Sequence, residues 1–165
     1  MTEEIVFDPQ RILAALVASG VDFVIIGGVA AVLHGAAYVT VDLDVCPATD
    51  RQNLDRLSAA LNDLDARIRV EGVPEGFAFA HDGASLSRAT IWNLQTTAGD
   101  LDLAIAPSAV GGFDELVGNA SQQDLGGLQV LVASLDDIIR SKRAANRPKD
   151  HLALPQLERL REELG

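Results

Sequence analysis

The chain is poor in cysteine and in lysine. Cys46 is its one cysteine, and Lys142 and Lys149 are its two lysines. A lone cysteine excludes an internal disulfide and any multi-cysteine zinc site. Against 24 Asp and Glu there are 13 Lys and Arg, for a net charge of −11. Bulk charge of this sign repels phosphate backbones and anionic lipid, so no long nucleic acid is expected as a partner. No apolar run reaches the roughly 18 residues that a membrane span needs, so no membrane is expected either. The start, MTEEIVFDPQ, is acidic and lacks the regions of a signal peptide, which predicts a cytoplasmic protein. Repeats, low-complexity stretches and long linkers are also lacking. With 165 residues, of which 48% are hydrophobic, the expectation is one domain over 1–165 with one sizeable core.

Local signals give an element order. Asp8 and Pro9 open a first helix with an apolar stripe of Ile12, Leu13, Leu16 and Val17, ended by Ser19-Gly20. Asp22 to Ile26 reads as a buried strand, Gly27-Gly28 as a turn and Val29 to His34 as a short helix. Val39 to Cys46 alternates as a strand, with Thr40, Asp42 and Asp44 on one face and Val39, Val41, Leu43 and Val45 on the other. Asp50 caps a helix to about Leu64, with Leu54, Leu57, Leu61 and Leu64 inward. Arg67 to Val70 suits a short strand, and Glu71 to Ser87 reads as irregular. Arg88 to Thr96 and Asp100 to Ile105 suggest a hairpin. Phe113 to Ala120 is a short helix, Leu128 to Val132 a strand, Leu135 to Ala145 a helix capped by Ser134, and Pro148 opens a last helix. The predicted fold class is α/β, a mixed β-sheet flanked by helices.

Four features bear on chemistry. Asp42 and Asp44, two apart on a strand, share a face, and two like charges aimed together call for a cation. Carboxylates suit Mg²⁺, although a solvated strand face explains an isolated pair as well. Gly27-Gly28, between a strand and a helix, lets a phosphate approach the backbone, or simply makes a tight turn. Asp100 and Asp102 share a face of a later strand. If the two strands are neighbours, a third carboxylate joins the first two, and such a set supports two-metal phosphoryl chemistry. Finally, Arg140, Lys142, Arg143, Arg147 and Lys149 concentrate positive charge in ten positions, where a triphosphate fits, unless they merely complement a helix end.

In order, these segments resemble the nucleotidyltransferase superfamily with a DNA polymerase beta-like fold. More narrowly they resemble its small bacterial branch, which includes AbiEii-type toxin nucleotidyltransferases. The residues that carry the likeness are Gly27-Gly28-Val-Ala-Ala-Val-Leu-His34-Gly35, Thr40-Val-Asp42-Leu-Asp44-Val and Gly99-Asp-Leu-Asp102-Leu. So does the run from Leu135 to Asp150. The likeness spans about Val21 to Leu157, leaving Glu71 to Ser87 without a counterpart. It implies that Gly27 and Gly28 hold nucleotide phosphate and that Asp42 and Asp44 bind two Mg²⁺ ions. It implies further that Asp102 completes the metal site and helps deprotonate an acceptor hydroxyl, and that Lys142 reaches the triphosphate. Arg147 and Lys149 follow as phosphate or acceptor contacts. The implied activity is transfer of a nucleoside monophosphate from a nucleoside triphosphate to a hydroxyl on transfer RNA, a protein or a small molecule. A cognate antitoxin is an implied partner. Tyr38 and Val41 stand where relatives often carry basic residues. The alternatives are therefore a catalytically weak or inactive binding partner of the same fold, and a metal-dependent phosphohydrolase. Elsewhere the bland roles are expected: His34 packed or capping, His81 and His151 solvated, Cys46 a small hydrophobe, Tyr38 and Trp92 in the core or at its rim.

Overall fold

The computed structural model describes residues 6–37, 39–107 and 110–165. Helix α1 (Pro9–Ala18) starts where Asp8 accepts a hydrogen bond from the Arg11 amide. It buries Ile12, Leu13 and Leu16, whereas Val17 lies on its exposed side. Strand β1 (Phe23–Ile26) runs straight into α2 (Gly27–Leu33), and β2 spans Asp42–Pro47. Helix α3 (Arg51–Asp63) is capped by Asp50 and buries Leu54, Leu57 and Leu61, with Leu64 at its end. Strands β3 (Arg67–Val70), β5 (Ile91–Thr96) and β6 (Gly99–Ala104) follow the predicted positions closely.

Two predicted assignments change. Val39 to Val41 precede β2 instead of belonging to it, and Val39 and Val41 are 89% and 68% exposed instead of facing a core. The Thr40 hydroxyl donates to the Asp42 carbonyl at 3.0 Å, a local bond that competes with strand pairing. The stretch Glu71 to Ser87 is not all irregular. It holds β4 (Val73–Phe77) and a single helical turn, α4 (Gly83–Leu86), closed by a reciprocal Asp82–Ser85 capping box.

The remaining elements are α5 (Phe113–Asn119), β7 (Ser121–Leu125), β8 (Leu128–Val132), α6 (Leu135–Ala145) and α7 (Pro148–Leu164). Strand β7 has no apolar alternation, and the sequence expectation missed it. Its signal is the turn Gly126-Gly127, both at positive φ, which joins it to β8 as a two-residue hairpin. Asn146, in the left-handed conformation, stops α6 and turns the chain into α7.

One mixed sheet results, in the order β4-β3-β5-β6-β2-β1-β8-β7. Strands β2 and β6 pair in parallel, as do β1 and β8, while the other pairs are antiparallel. Leu43 and Val45 of β2 and Leu101 and Leu103 of β6 are fully buried on one face. Helix α1 rests against β6, β8 and α3, and α2 against β1, β2 and α6. The alternate residues of β2 and β6 face the other way, and they are the aspartates.

Candidate active site

The pairing of β2 with β6 decides the geometry. Its register sets Asp42 beside Asp100 and Asp44 beside Asp102. On the far side of β2, Asp44 pairs with Ile26, the last residue before the glycine turn. One carboxylate oxygen each from Asp42, Asp44 and Asp102 therefore lies within 4.8 Å of the others. Burial of Asp44 and the nearby charges of Asp42 and Asp102 push its carboxyl up to about 7. Burial also raises Asp102, against the pull of the Arg69 guanidinium. Three oxygen donors this close, one of them held partly protonated near neutral pH by its neighbours, fit a hard divalent cation that would relieve their repulsion.

Gly27 is shaped to this cluster. It has φ +67°, and a Cβ there would sit 2.2 Å from Asp44 Oδ2. With Gly28 it opens α2 and lines a cleft of about 1090 Å³ that also contains all three aspartates. The same cleft is lined by Lys142, Arg147 and Lys149.

The five-residue basic run does not act as one patch. Arg140 pairs with Asp137 and Glu115, and Arg143 with Glu158, and neither arginine lines the cleft. On α6, helical periodicity separates Lys142 from Arg140 and Arg143, whereas Arg147 caps α7 and Lys149 lies in its first turn. Asp150, fully buried, organises the cleft side. Its carboxylate lies 2.8 Å from Arg147 Nε and 3.6 Å from Lys142 Nζ. Burial pushes the Asp150 carboxyl up, but the bonds from Arg147 and the charges of Arg147 and Lys142 outweigh it, so it stays below the usual range. Lys149 is exposed, lies close enough to Asp44 to favour its ionised form, and enters no ion pair among the described residues.

Sequence reasoning missed Asp150 as an organiser and missed Arg69 altogether. Arg69 sits on β3, two strands from Asp102, yet Nη2 donates to Asp102 Oδ1 at 2.9 Å. Nη1 donates to the Leu94 carbonyl at 3.1 Å and lies 3.5 Å from Asp100 Oδ2. No local pattern marks such a contact. Asp100 belongs to β6 and shares Arg69 with Asp102.

Other residues lie in quieter places. His34 ends α2, with Nε2 2.7 Å from the Ala133 carbonyl. His81 is not simply solvated: Nδ1 lies 2.6 Å from the buried Ser58 hydroxyl, and the ring packs at a tilt against Phe79. His151 is exposed and meets the Asn146 side chain. Trp92 is half-buried and donates to the Leu86 carbonyl. Cys46 is fully buried, and burial pushes its thiol up to about 12, leaving an inert side chain. Tyr38 lies outside the described residues.

Solved structures share this arrangement of elements. The lincosamide antibiotic adenylyltransferase LnuA, with lincomycin bound, superposes with a TM-score of 0.59 at 16% identity, over 93% of this chain and 98% of that one. ANT(2'')-Ia in complex with adenylyl-2''-tobramycin gives 0.57 at 18% identity, over 95% of this chain and 87% of that one. The chain has the nucleotidyltransferase fold. No protein-family model matches the sequence, and no curated protein matches it. Among the described residues no helix is long and apolar enough to cross a membrane.

Proposed function

We propose that this nucleotidyltransferase-fold protein is an enzyme that transfers a nucleoside monophosphate from a nucleoside triphosphate to an acceptor hydroxyl and releases pyrophosphate. The observation that carries this reading is the meeting of Asp42, Asp44 and Asp102 in the cleft that Gly27, Gly28, Lys142, Arg147 and Lys149 also line. Like charges repel, so three carboxylates gathered this closely in one cleft call for a cation among them.

Asp42, Asp44 and Asp102 would hold two Mg²⁺ ions, which supply charge neutralisation at phosphate oxygens and ease ionisation of the attacking hydroxyl. Asp102 accepts the acceptor's hydroxyl proton. The freed oxygen forms a bond to the α-phosphorus as the bond to the bridging oxygen of the β-phosphate breaks, in line. Gly27 and Gly28 let the triphosphate approach the backbone. Lys142, Arg147 and Lys149 offset the charge that accumulates on the departing pyrophosphate. Holding nucleotide and acceptor in one cleft supplies the positioning on which such transfer depends.

A small hydroxylated molecule is the acceptor we favour. LnuA is an adenylyltransferase for lincosamide antibiotics, and ANT(2'')-Ia was captured with an adenylylated tobramycin. The strong negative charge of the chain also argues against a long nucleic acid. A role within a toxin–antitoxin pair, with an antitoxin as partner, rests on the sequence resemblance alone.

Incubation with α-³²P-labelled nucleoside triphosphates, Mg²⁺ and a cell extract tests the activity. Label is expected on an acceptor, and Asp44→Asn is expected to abolish it. Label released only as free monophosphate indicates a hydrolase. No Mg²⁺-dependent consumption of nucleotide indicates the non-catalytic binding partner that Val41, in a position often basic, would suit.

A further inference from the structure

Asp42, Asp44 and Asp102 line the cleft from β2 and β6, and Asp100 stands beside Asp42 in the same register. Among the described residues Arg69 is the one cation in direct contact with any of them. Its position is specified from three directions. The Leu94 carbonyl takes one guanidinium nitrogen, Asp102 Oδ1 takes another, and Asp100 lies just beyond hydrogen-bond range. The side chain is 30% exposed, partly withdrawn from water, and lines the cleft. A planar fork with fixed donors suits this three-way contact, and a lysine ammonium would not span it as well.

We propose that Arg69 is a built-in counter-ion that holds the third carboxylate and weakens the affinity of the cluster for a free divalent ion. It occupies one oxygen of Asp102 and leaves the other side of that carboxylate toward Asp44. An ion among Asp42, Asp44 and Asp102 therefore lies only one carboxylate away from a fixed positive charge. Two opposing effects follow. A hydrogen bond to a ligating carboxylate orients it, which favours metal binding. A unit positive charge a few ångströms from a divalent ion repels it, and this costs on the order of tenfold in affinity even with strong screening. Asp102 is 8% exposed and is flanked in register by Asp44 on β2 and Asn93 on β5, so its side chain has little freedom left for Arg69 to remove, and repulsion dominates. Arg69 is a positioning residue here and not a catalytic one. The proposal rests on the carboxylate cluster being a divalent-ion site.

Mn²⁺ binding to nucleotide-free protein, followed by electron paramagnetic resonance, tests this without any turnover. Arg69→Gln is expected to bind Mn²⁺ about tenfold more tightly than the parent, and Arg69→Lys about two- to threefold more tightly. A residue needed only for structure would have the opposite effect, since its loss would loosen the cluster. Unchanged or weaker binding in Arg69→Gln overturns the proposal. Should Arg69→Gln not fold, Arg69→Lys decides alone, and failure to tighten overturns it. Asp44→Asn is expected to remove binding from every background. If neither the parent nor the Arg69 variants bind Mn²⁺, the metal reading falls and this proposal falls with it. Binding that survives Asp44→Asn unchanged places the ion elsewhere and overturns both.

Discussion

Gly27 gives up its side chain to make room for the carboxylate of Asp44. The two residues lie on different elements, and a Cβ on Gly27 would come within 2.2 Å of Asp44 Oδ2 and 2.9 Å of its Cβ. The backbone at Gly27 is also left-handed, at φ +67°. The glycine turn is thus tied sterically to the aspartate, independently of any phosphate it holds.

Gly27→Ala should combine both penalties, left-handed strain and overlap, and cost at least about 2 kcal/mol of stability. Gly72→Ala is the control. Gly72 is also left-handed, at φ +81°, but has open space around it. Its cost should be about 1 kcal/mol, from strain alone. Urea unfolding of the two variants measures the difference; equal losses would mean that Asp44 does not fill the space at Gly27.

The raised Asp44 carboxyl gives a pH dependence of definite sign. Its pKa is 3.8 when unfolded and about 7 when folded, so the native state binds more protons between these values. The stability of metal-free protein should therefore fall as pH rises from about 4 to about 7, by at most about 4 kcal/mol. Asp44→Asn should flatten that part of the curve. Mg²⁺ should add most stability above pH 7, where the carboxylate is ionised and the proton no longer competes. Thermal melting across pH, with Mg²⁺ and with chelator, reads both effects.

Asp150 should matter more for the fold than its distance from the aspartate cluster suggests. It is fully buried and binds Arg147 through both carboxylate oxygens, at 2.8 and 3.3 Å. Asp150→Ala removes these bonds and strands Lys142 without its counter-charge, so about 2–3 kcal/mol should be lost. Denaturant unfolding gives the number, and a loss below about 0.5 kcal/mol would show the ion pairs to be incidental.

The two halves of the basic run should separate by function. Lys149 lines the cleft and has no carboxylate partner among the described residues, while Arg143 pairs with Glu158 outside it. Lys149→Ala should weaken binding of a nucleoside triphosphate about tenfold, the size of one charge-assisted contact. Arg143→Ala should leave it unchanged. Fluorescent-nucleotide titration distinguishes them, and equal effects would return the run to a diffuse field.

Much of the site could be read before any fold was known, and specific contacts could not. Asp42 and Asp44 fall on one face because strand side chains alternate, and the same holds for Asp100 and Asp102. The glycine turn is marked by composition. Arg69 carried no signal, because it reaches Asp102 across β5 from a strand only four residues long, whose alternation says nothing of what it meets. The basic run was legible as charge but not as two groups, since which residues of α6 meet the cleft depends on how α6 and α7 are set against the sheet. Val41 looked inward by alternation, yet pairing begins only at Asp42.

The amino-acid order by itself determined most of the helices, the Asp8, Asp50 and Ser134 caps, most of the buried stripes and the face on which each aspartate stands. These follow from local backbone periodicity and from hydrogen bonds a few residues long. Tertiary structure alone decided that β6 lies parallel beside β2 in the register that sets Asp44 against Asp102, and that Arg69 and Asp150 supply the balancing charges. Strand order is chosen by burial of the whole apolar face, Leu43, Val45, Leu101 and Leu103 included, and that free energy belongs to no single segment.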